Sequence, residues 1–267
     1  MSDQSYDASL DLLRRLNPSN IKANLSHLIK LNPELSEDLL SSIDIPLSIQ
    51  QDSKQNRKYL CCDYNRDLDS FRSPWSNVYY PQLPTSDEEE SYVPAGQLRE
   101  LETALNEAFD TYRDLYYDGG VSSVYLWNDD DKLESGFSGV VLLKKTNEED
   151  SWDSIHVFEC EVSGAKAEYK LTSTVILSLN EQGDGVNMNG NLVRQNSKTA
   201  PVVDGLTGHI VNIGSFIEDV ESQLRNLLQQ VYFDKNKDIV AELRSLVDLK
   251  KVSKDKLKQK ELINALQ

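Results

Sequence analysis

The sequence predicts an α+β fold: three short amino-terminal helices, a central antiparallel sheet covered by a long helix, and a mobile amphipathic carboxy-terminal helix. Three observations carry this prediction. Between residues 119 and 196, five segments rich in Val, Ile, Thr, Tyr, Phe or Trp follow one another: VSSVYLW (121–127), FSGVVLLKK (137–145), SWDSIHVFECEV (151–162), AEYKLTSTVILSL (167–179) and VNMNGNLVR (186–194). The pieces between them, 128–135, 146–150, 163–166 and 180–185, suit turns but are too short for crossover helices, so neighbouring strands are antiparallel. After the sheet, Ile213, Phe216, Ile217, Val220, Leu224, Leu227, Leu228 and Val231 recur at helical spacing, the stripe of a helix lying across it.

Taken in order, residues 1–45 hold three short helices. Leu10, Leu12, Leu13 and Leu16 serve the first, which Asn17-Pro18 interrupts. Ile21, Leu25, Leu28 and Ile29 serve the second. Asn32-Pro33 reads as a cap with proline at the first helical position, ahead of Leu35, Leu39 and Leu40. None is long enough to be stable alone, so they pack on one another. Residues 45–94 are irregular and proline-rich, and the acidic run 87–90 reads as an exposed loop. Leu98, Leu101, Leu105, Ala108, Phe109, Tyr112 and Leu115 mark an amphipathic helix ending near Gly119-Gly120.

In the fourth strand, Ala167, Tyr169, Leu171, Val175, Leu177 and Leu179 fall on one face, opposed by Glu168, Lys170, Thr172 and Thr174. One strongly apolar face results, and the long helix is its natural cover. Residues 198–208 read as a linker, Tyr232-Phe233-Asp234 as the end of the long helix, and Ile239, Val240, Leu243 and Leu246 as a shorter helix. Beyond it, Leu249, Val252, Leu257, Leu262, Ile263 and Leu266 make a strip too thin for permanent docking.

The chain of 267 residues has a formal charge of -16, which disfavours nucleic acid and anionic membranes as partners. Charge is unevenly spread. Residues 246–267 hold six lysines, Lys250, Lys251, Lys254, Lys256, Lys258 and Lys260, against three acidic residues, a net +3, leaving -19 on the rest. Cys61, Cys62 and Cys160 give an odd count without zinc-site spacing. With no apolar leader and no run of eighteen apolar residues, the expectation is a reduced, intracellular protein that is not an integral membrane protein.

The motifs point away from catalysis. His27, His156 and His209 are scattered over three elements, and phosphate-loop and dinucleotide fingerprints are missing, so neither enzyme activity nor a cofactor is expected. Asp63-x-Asn65-x-Asp67-x-Asp69 opens like a calcium loop. Its sixth residue, however, is Leu68 where glycine is needed, and its twelfth is Pro74 where a bidentate glutamate is needed. It reads instead as a structural loop in which Asp and Asn bond backbone groups, Arg66 and Arg72 pair with carboxylates, and Trp75 buries its ring.

CDYNRDLDSFRSPWSN (62–77), FDTYRDLYYDGGVSSVYLW (109–127), WDSIHVFE (152–159), YKLTSTVILSL (169–179), HIVNIGSFIED (209–219) and VYFDKNKDIV (231–240) together resemble the beta subunit family of the heterodimeric F-actin capping protein. The resemblance runs in register from residue 7 to about residue 246. It implies a helical stalk (1–45), a mixed globular region with a connecting helix (46–118), the sheet (119–196), a linker with the long and short helices (197–245), and a basic amphipathic tentacle (246–267). It also implies an obligate alpha-subunit partner whose sheet joins this one, solving the problem of exposed sheet edges. The expected function is non-enzymatic capping of the barbed end of actin filaments in the cytoplasmic actin cytoskeleton, in cortical structures, with phosphoinositides and capping regulators as further ligands. Arg225 then belongs to a basic actin-binding surface together with the tail lysines. Leu262, Ile263 and Leu266, which share a helical face by spacing, are the expected apolar contacts. Two alternatives are a cytoskeletal scaffold with capping secondary, and a hydrolase assembled in three dimensions.

Overall fold

The computed structural model describes residues 2–84, 91–128, 136–146, 150–180 and 187–230, together with Lys254 and Leu257. The expected acidic loop at 87–90 and the expected short helix after residue 236 lie outside the described residues. The chain divides into two compact units, Met1–Ile217 and Glu218–Gln267.

The first unit begins with α1 (Ser2–Arg15), α2 (Ile21–Leu31) and α3 (Ser36–Ser42), the three predicted helices. They enclose Leu10, Leu13, Ile21, Leu25, Leu35, Leu39 and Ile43. Leu12 and Leu40, expected in the stripes, are exposed, because each lies about 100° round its helix from the buried neighbour, Leu13 or Leu39. Asn32 does not cap with its side chain. Its Nδ2 donates to Ser5 Oγ at 3.2 Å instead, tying the α2–α3 connection to α1.

Next comes the hairpin of β1 (Ser48–Asp52) and β2 (Arg57–Cys61), then a small sheet of β3 (Arg66–Asp67), β4 (Ser70–Arg72) and β5 (Tyr79–Tyr80). The helix α4 (Gly96–Tyr116) buries Leu98, Leu101, Leu105 and Phe109, but its stripe stops early: Leu115 is 73% exposed and Ala108 is exposed as well. Gly119 takes a φ of 73° two residues beyond the cap. A side chain at Gly120 would meet the carbonyls of Lys144 and Tyr117 at 2.5 and 2.7 Å, so glycine is needed for the turn into the sheet.

The central sheet is the predicted antiparallel meander: β6 (Val121–Trp127), β7 (Phe137–Thr146), β8 (Ser151–Ser163), β9 (Lys166–Asn180) and β10 (Asn187–Pro201), hydrogen-bonded in the order β10-β9-β8-β7-β6. β10 is longer than its hydropathy indicates and takes up 195–201, part of which reads as linker from sequence. Gln195, Ser197 and Thr199 supply no apolar signal, yet each lies in register with a β9 residue through Pro201 opposite Lys166.

Both faces of the sheet are covered, where the sequence reading expected one. On the first, Ala167, Tyr169, Leu171, Val175 and Leu177 are buried. Here α5 (Leu206–Leu228) begins, with His209, Ile213, Phe216 and Ile217 buried. On the second, the β1–β2 hairpin sets Leu47 and Leu60 against Val121, Tyr125, Val140, Leu142, Ile155 and Ile176. That packing buries Thr174, expected on the polar face. It is pinned by Tyr125 Oη donating to Leu60 O at 2.7 Å, Leu60 N–H donating to Ser123 Oγ, and Leu47 N–H donating to Asp153, which is paired with Lys144 at 2.6 Å. In the second unit, Val220, Glu221, Leu224 and Leu228 are buried.

Candidate functional site

The segment opened by Asp63 is a brace and not a cation cradle. Asn65 is buried and uses its whole amide on the backbone: Oδ1 accepts from Cys62 N–H, and Nδ2 donates to the carbonyls of Leu60 and Arg72. Its oxygen is buried on the Cys62 N–H, whereas Asp63 and Asp69 are exposed and pair loosely with Arg66 at 4.0 and 3.6 Å, and Asp67 lies in β3. Leu68 adopts the positive φ, 51°, that a calcium loop gives to glycine, and Arg66 Nε donates to Leu68 O at 2.7 Å across the turn. Among the described residues, no group of three His, Cys, Asp or Glu side chains could hold a metal.

Arg72 is buried and forks onto Glu102, with Nη1 and Nη2 each 2.8 Å from one carboxylate oxygen, and Nη1 also donates to Asn77. Arg99 pairs with the same carboxylate. Trp75 is only half-buried, against expectation. The Arg57 guanidinium stacks 3.4 Å above its ring, and Nε1 reaches Lys58 O at the surface. Beside this brace, Asp52 is fully buried and accepts from Ser73 Oγ, Tyr80 Oη and the backbone N–H groups of Lys54, Gln55 and Ser76. Burial alone would raise its pKa, but these bonds outweigh burial and hold it well below the ordinary 3.8.

The buried cluster under the start of α5 has nucleophilic atoms but no route to nucleophilic chemistry. His209 Nδ1 lies 2.8 Å from Tyr169 Oη and 3.9 Å from Cys160 Sγ. Burial lowers the His209 pKa and pushes the Cys160 thiol up to about 12, so the imidazole is neutral and the thiol protonated. His156 is buried too, 2.8 Å from Ser173 Oγ. Tertiary folding does not bring the three histidines into one site.

The two edges of the central sheet are treated differently. Along β6, α4 supplies the missing strand with side chains. Asn106 Oδ1 accepts from Val124 N–H at 2.9 Å, Asn106 Nδ2 donates to Val124 O at 2.8 Å, and Glu102 Oε2 accepts from Leu126 N–H at 2.8 Å. That edge is closed. Sequence reasoning missed both residues. Their signal was a polar pair, four apart, beside the apolar stripe of α4 where buried polar atoms need partners.

Along β10 nothing equivalent occurs among the described residues. Val202 N–H bonds Ala165 O, so by antiparallel alternation Asn191, Val193, Gln195, Ser197 and Thr199 aim their backbone groups away from β9. Among the described residues, none of these outward N–H groups has a hydrogen-bond acceptor. The buried Asn191 Oδ1 likewise lacks a donor.

Of the expected actin-binding residues, Arg225 sits near the end of α5, 31% exposed, with Nη2 at 3.0 Å from the buried Glu221. Lys254 is helical and exposed, and so is Leu257, three residues on. Lys250, Lys251, Lys256, Lys258, Lys260, Leu262, Ile263 and Leu266 lie outside the described residues.

Against known proteins, the family model for the F-actin capping protein, beta subunit, matches residues 6–240, from α1 through the sheet and beyond α5. The chain belongs to that family. F-actin-capping protein subunit beta of Candida glabrata is 53% identical over 272 residues, spanning 99% of each chain. The Saccharomyces cerevisiae subunit is 53% identical over 256 residues, covering 90% of this chain and 89% of its own, and that of Yarrowia lipolytica 52% over 269, covering 100% of each. Among solved structures, the fold resembles that of a homodimeric actin capping protein alpha subunit from Plasmodium berghei, with a TM-score of 0.52 at 16% identity, covering 92% of this chain and 97% of that one. The brace built on Asn65, Arg72 and Glu102 lies within the matched span.

Proposed function

We propose that this chain caps the barbed ends of actin filaments as the beta half of an alpha/beta heterodimer, blocking both addition and loss of subunits without making or breaking a bond. Membership of the capping protein beta family carries this reading. The open edge of the sheet supports a docking place for that partner. With β6 closed by α4, β10 is the edge left for a strand of the alpha subunit, so the two sheets join there in antiparallel fashion.

The contact with actin falls to the carboxy-terminal region. The lysines of 246–267 steer the tail towards acidic surface, and Leu262, Ile263 and Leu266 prolong residence by apolar burial. Arg225 adds to the basic surface and to phosphoinositide binding, and capping regulators act on the same heterodimer at cortical actin. The five-part division at residues 45, 118, 196 and 245 separates stalk, brace, sheet, cover and tentacle by these roles. Because Arg225 also neutralises buried Glu221, Arg225→Ala disturbs the helix as well as the surface, and Arg225→Lys is the cleaner probe.

The deciding experiment co-expresses this chain with the capping protein alpha subunit and follows elongation from preformed actin seeds. A 1:1 complex that stops barbed-end growth is expected. A complex that leaves barbed-end growth untouched would return the chain to the scaffold alternative.

A further inference from the structure

We propose that β10 selects its neighbour by charge: Arg194 and Lys198 repel a second copy of this chain and fit a strand of a different chain that carries carboxylates opposite them. The proposal rests on reading β10 as the heterodimer seam. It adds why that seam rejects a copy of itself.

Arg194 and Lys198 are the only charged residues of β10, and both are basic. Being four apart, they point to the same face, the one on which α5 begins. Arg194 is exposed, and among the described residues its guanidinium bonds only the carbonyl of Val193. The Lys198 ammonium stands 5.7 Å from the ring centre of Phe216 on α5, which confirms the face.

Two copies meeting along β10 would be related by a two-fold axis, so each register is defined by the residue on the axis. Overlap is greatest with Arg194 on the axis, since it is the midpoint of Asn187–Pro201. Its backbone groups point towards β9, so the new contact there is a non-hydrogen-bonded pair, whose Cα atoms lie about 4.5 Å apart. The two guanidinium groups would then share one face at the closest cross-strand spacing. Moving the axis to residue 196 sets Arg194 against Lys198 of the copy, and moving it to Lys198 sets the lysines against each other. The registers between place like charges on the diagonal, still within reach of such long side chains. The nearest register free of such contacts puts Leu192 on the axis and leaves the four residues 198–201 unpaired. Two bodies of formal charge -16 also repel at long range, which a partner strand bearing carboxylates at two chosen points does not require. On the opposite face, Asn191 Oδ1 lacks a donor among the described residues, and a foreign strand can bring one.

The test is charge reversal in the full chain. In complex with the alpha subunit, exchange against fluorescent alpha should be roughly tenfold or more faster for Arg194→Glu/Lys198→Glu than for wild type at low salt, with the difference shrinking at high salt. Gln195→Glu puts a carboxylate on the same strand but the other face and should leave exchange nearly unchanged. Unaltered exchange in the double variant would overturn the proposal while leaving the heterodimer intact. Equal acceleration by Gln195→Glu would overturn it as well, by showing that the strand is merely damaged. Failure of wild type itself to assemble with alpha would remove the heterodimer reading and this proposal together. In a second arm, two differently tagged copies are co-expressed without alpha. Capture of the reversed copy by wild type should exceed capture of wild type by wild type several-fold, and equal capture would sink the claim of self-exclusion.

Discussion

Asp52 and Glu102 show how much of this protein depends on buried carboxylates with every oxygen occupied. For Asp52 the sign of the pH effect follows from its depressed pKa. The stabilisation is complete above the ordinary carboxyl value of 3.8 and is lost as pH falls through the lower folded value. Asp52→Asn should therefore flatten the acid limb of the stability profile while lowering stability at neutral pH, read by urea unfolding of the heterodimer across pH. Glu102 holds Arg72, Arg99 and the N–H of Leu126 at once. Glu102→Gln leaves Arg72 buried with no charge opposite it and should cost about 3–5 kcal/mol, measurable by the same unfolding. The sequence revealed that the Asp63 loop is not a calcium site, from Leu68 and Pro74. It could not reveal Glu102, because the partner of Arg72 lies thirty residues on, in another element. Nor could it show that Trp75 lies half-open under Arg57, since an aromatic ring reads alike whether it is enclosed or stacked beneath a cation.

At the scale of elements, strands β6 to β9 were legible to within a residue or two, because β-branched and aromatic residues dominate each and turns bound them. The far half of β10 was not, because an edge strand carries polar side chains and is held by a register that hydropathy does not encode. The covering hairpin was hidden for a related reason: the burial of Leu47 and Leu60 against the sheet depends on tertiary contact. α4 has a role beyond its stripe, which gives a prediction at this scale. Asn106→Ala should strip Val124 of both backbone partners, lower stability by roughly 1–3 kcal/mol, and raise self-association of the heterodimer as seen by light scattering. The tail gives another. Deleting residues 249–267 should leave heterodimer stability unchanged while shortening residence at filament ends, followed on single filaments. Replacing Leu262, Ile263 and Leu266 with Ser should act on the off-rate, and neutralising the six lysines should act on the on-rate and its salt dependence.

For the molecule as a whole, the outward N–H groups of β10 make the isolated chain a poor end state. Expressed alone, it should aggregate or fold incompletely. With alpha it should elute as a 1:1 complex, and a stable folded monomer at micromolar concentration would contradict the seam. Family membership and helix-sheet order were readable from the motifs at 62–77 and 109–127. Which edge is open was not, since that depends on side chains of α4 reaching a backbone they do not adjoin in sequence.

The sealed side of β6 gives this sheet a valence of one. Joined by that margin to one partner strand, this sheet would present no further margin, so it could end a row of strands but not extend one. A partner that terminates actin polymers is by this construction unable to start a polymer of its own.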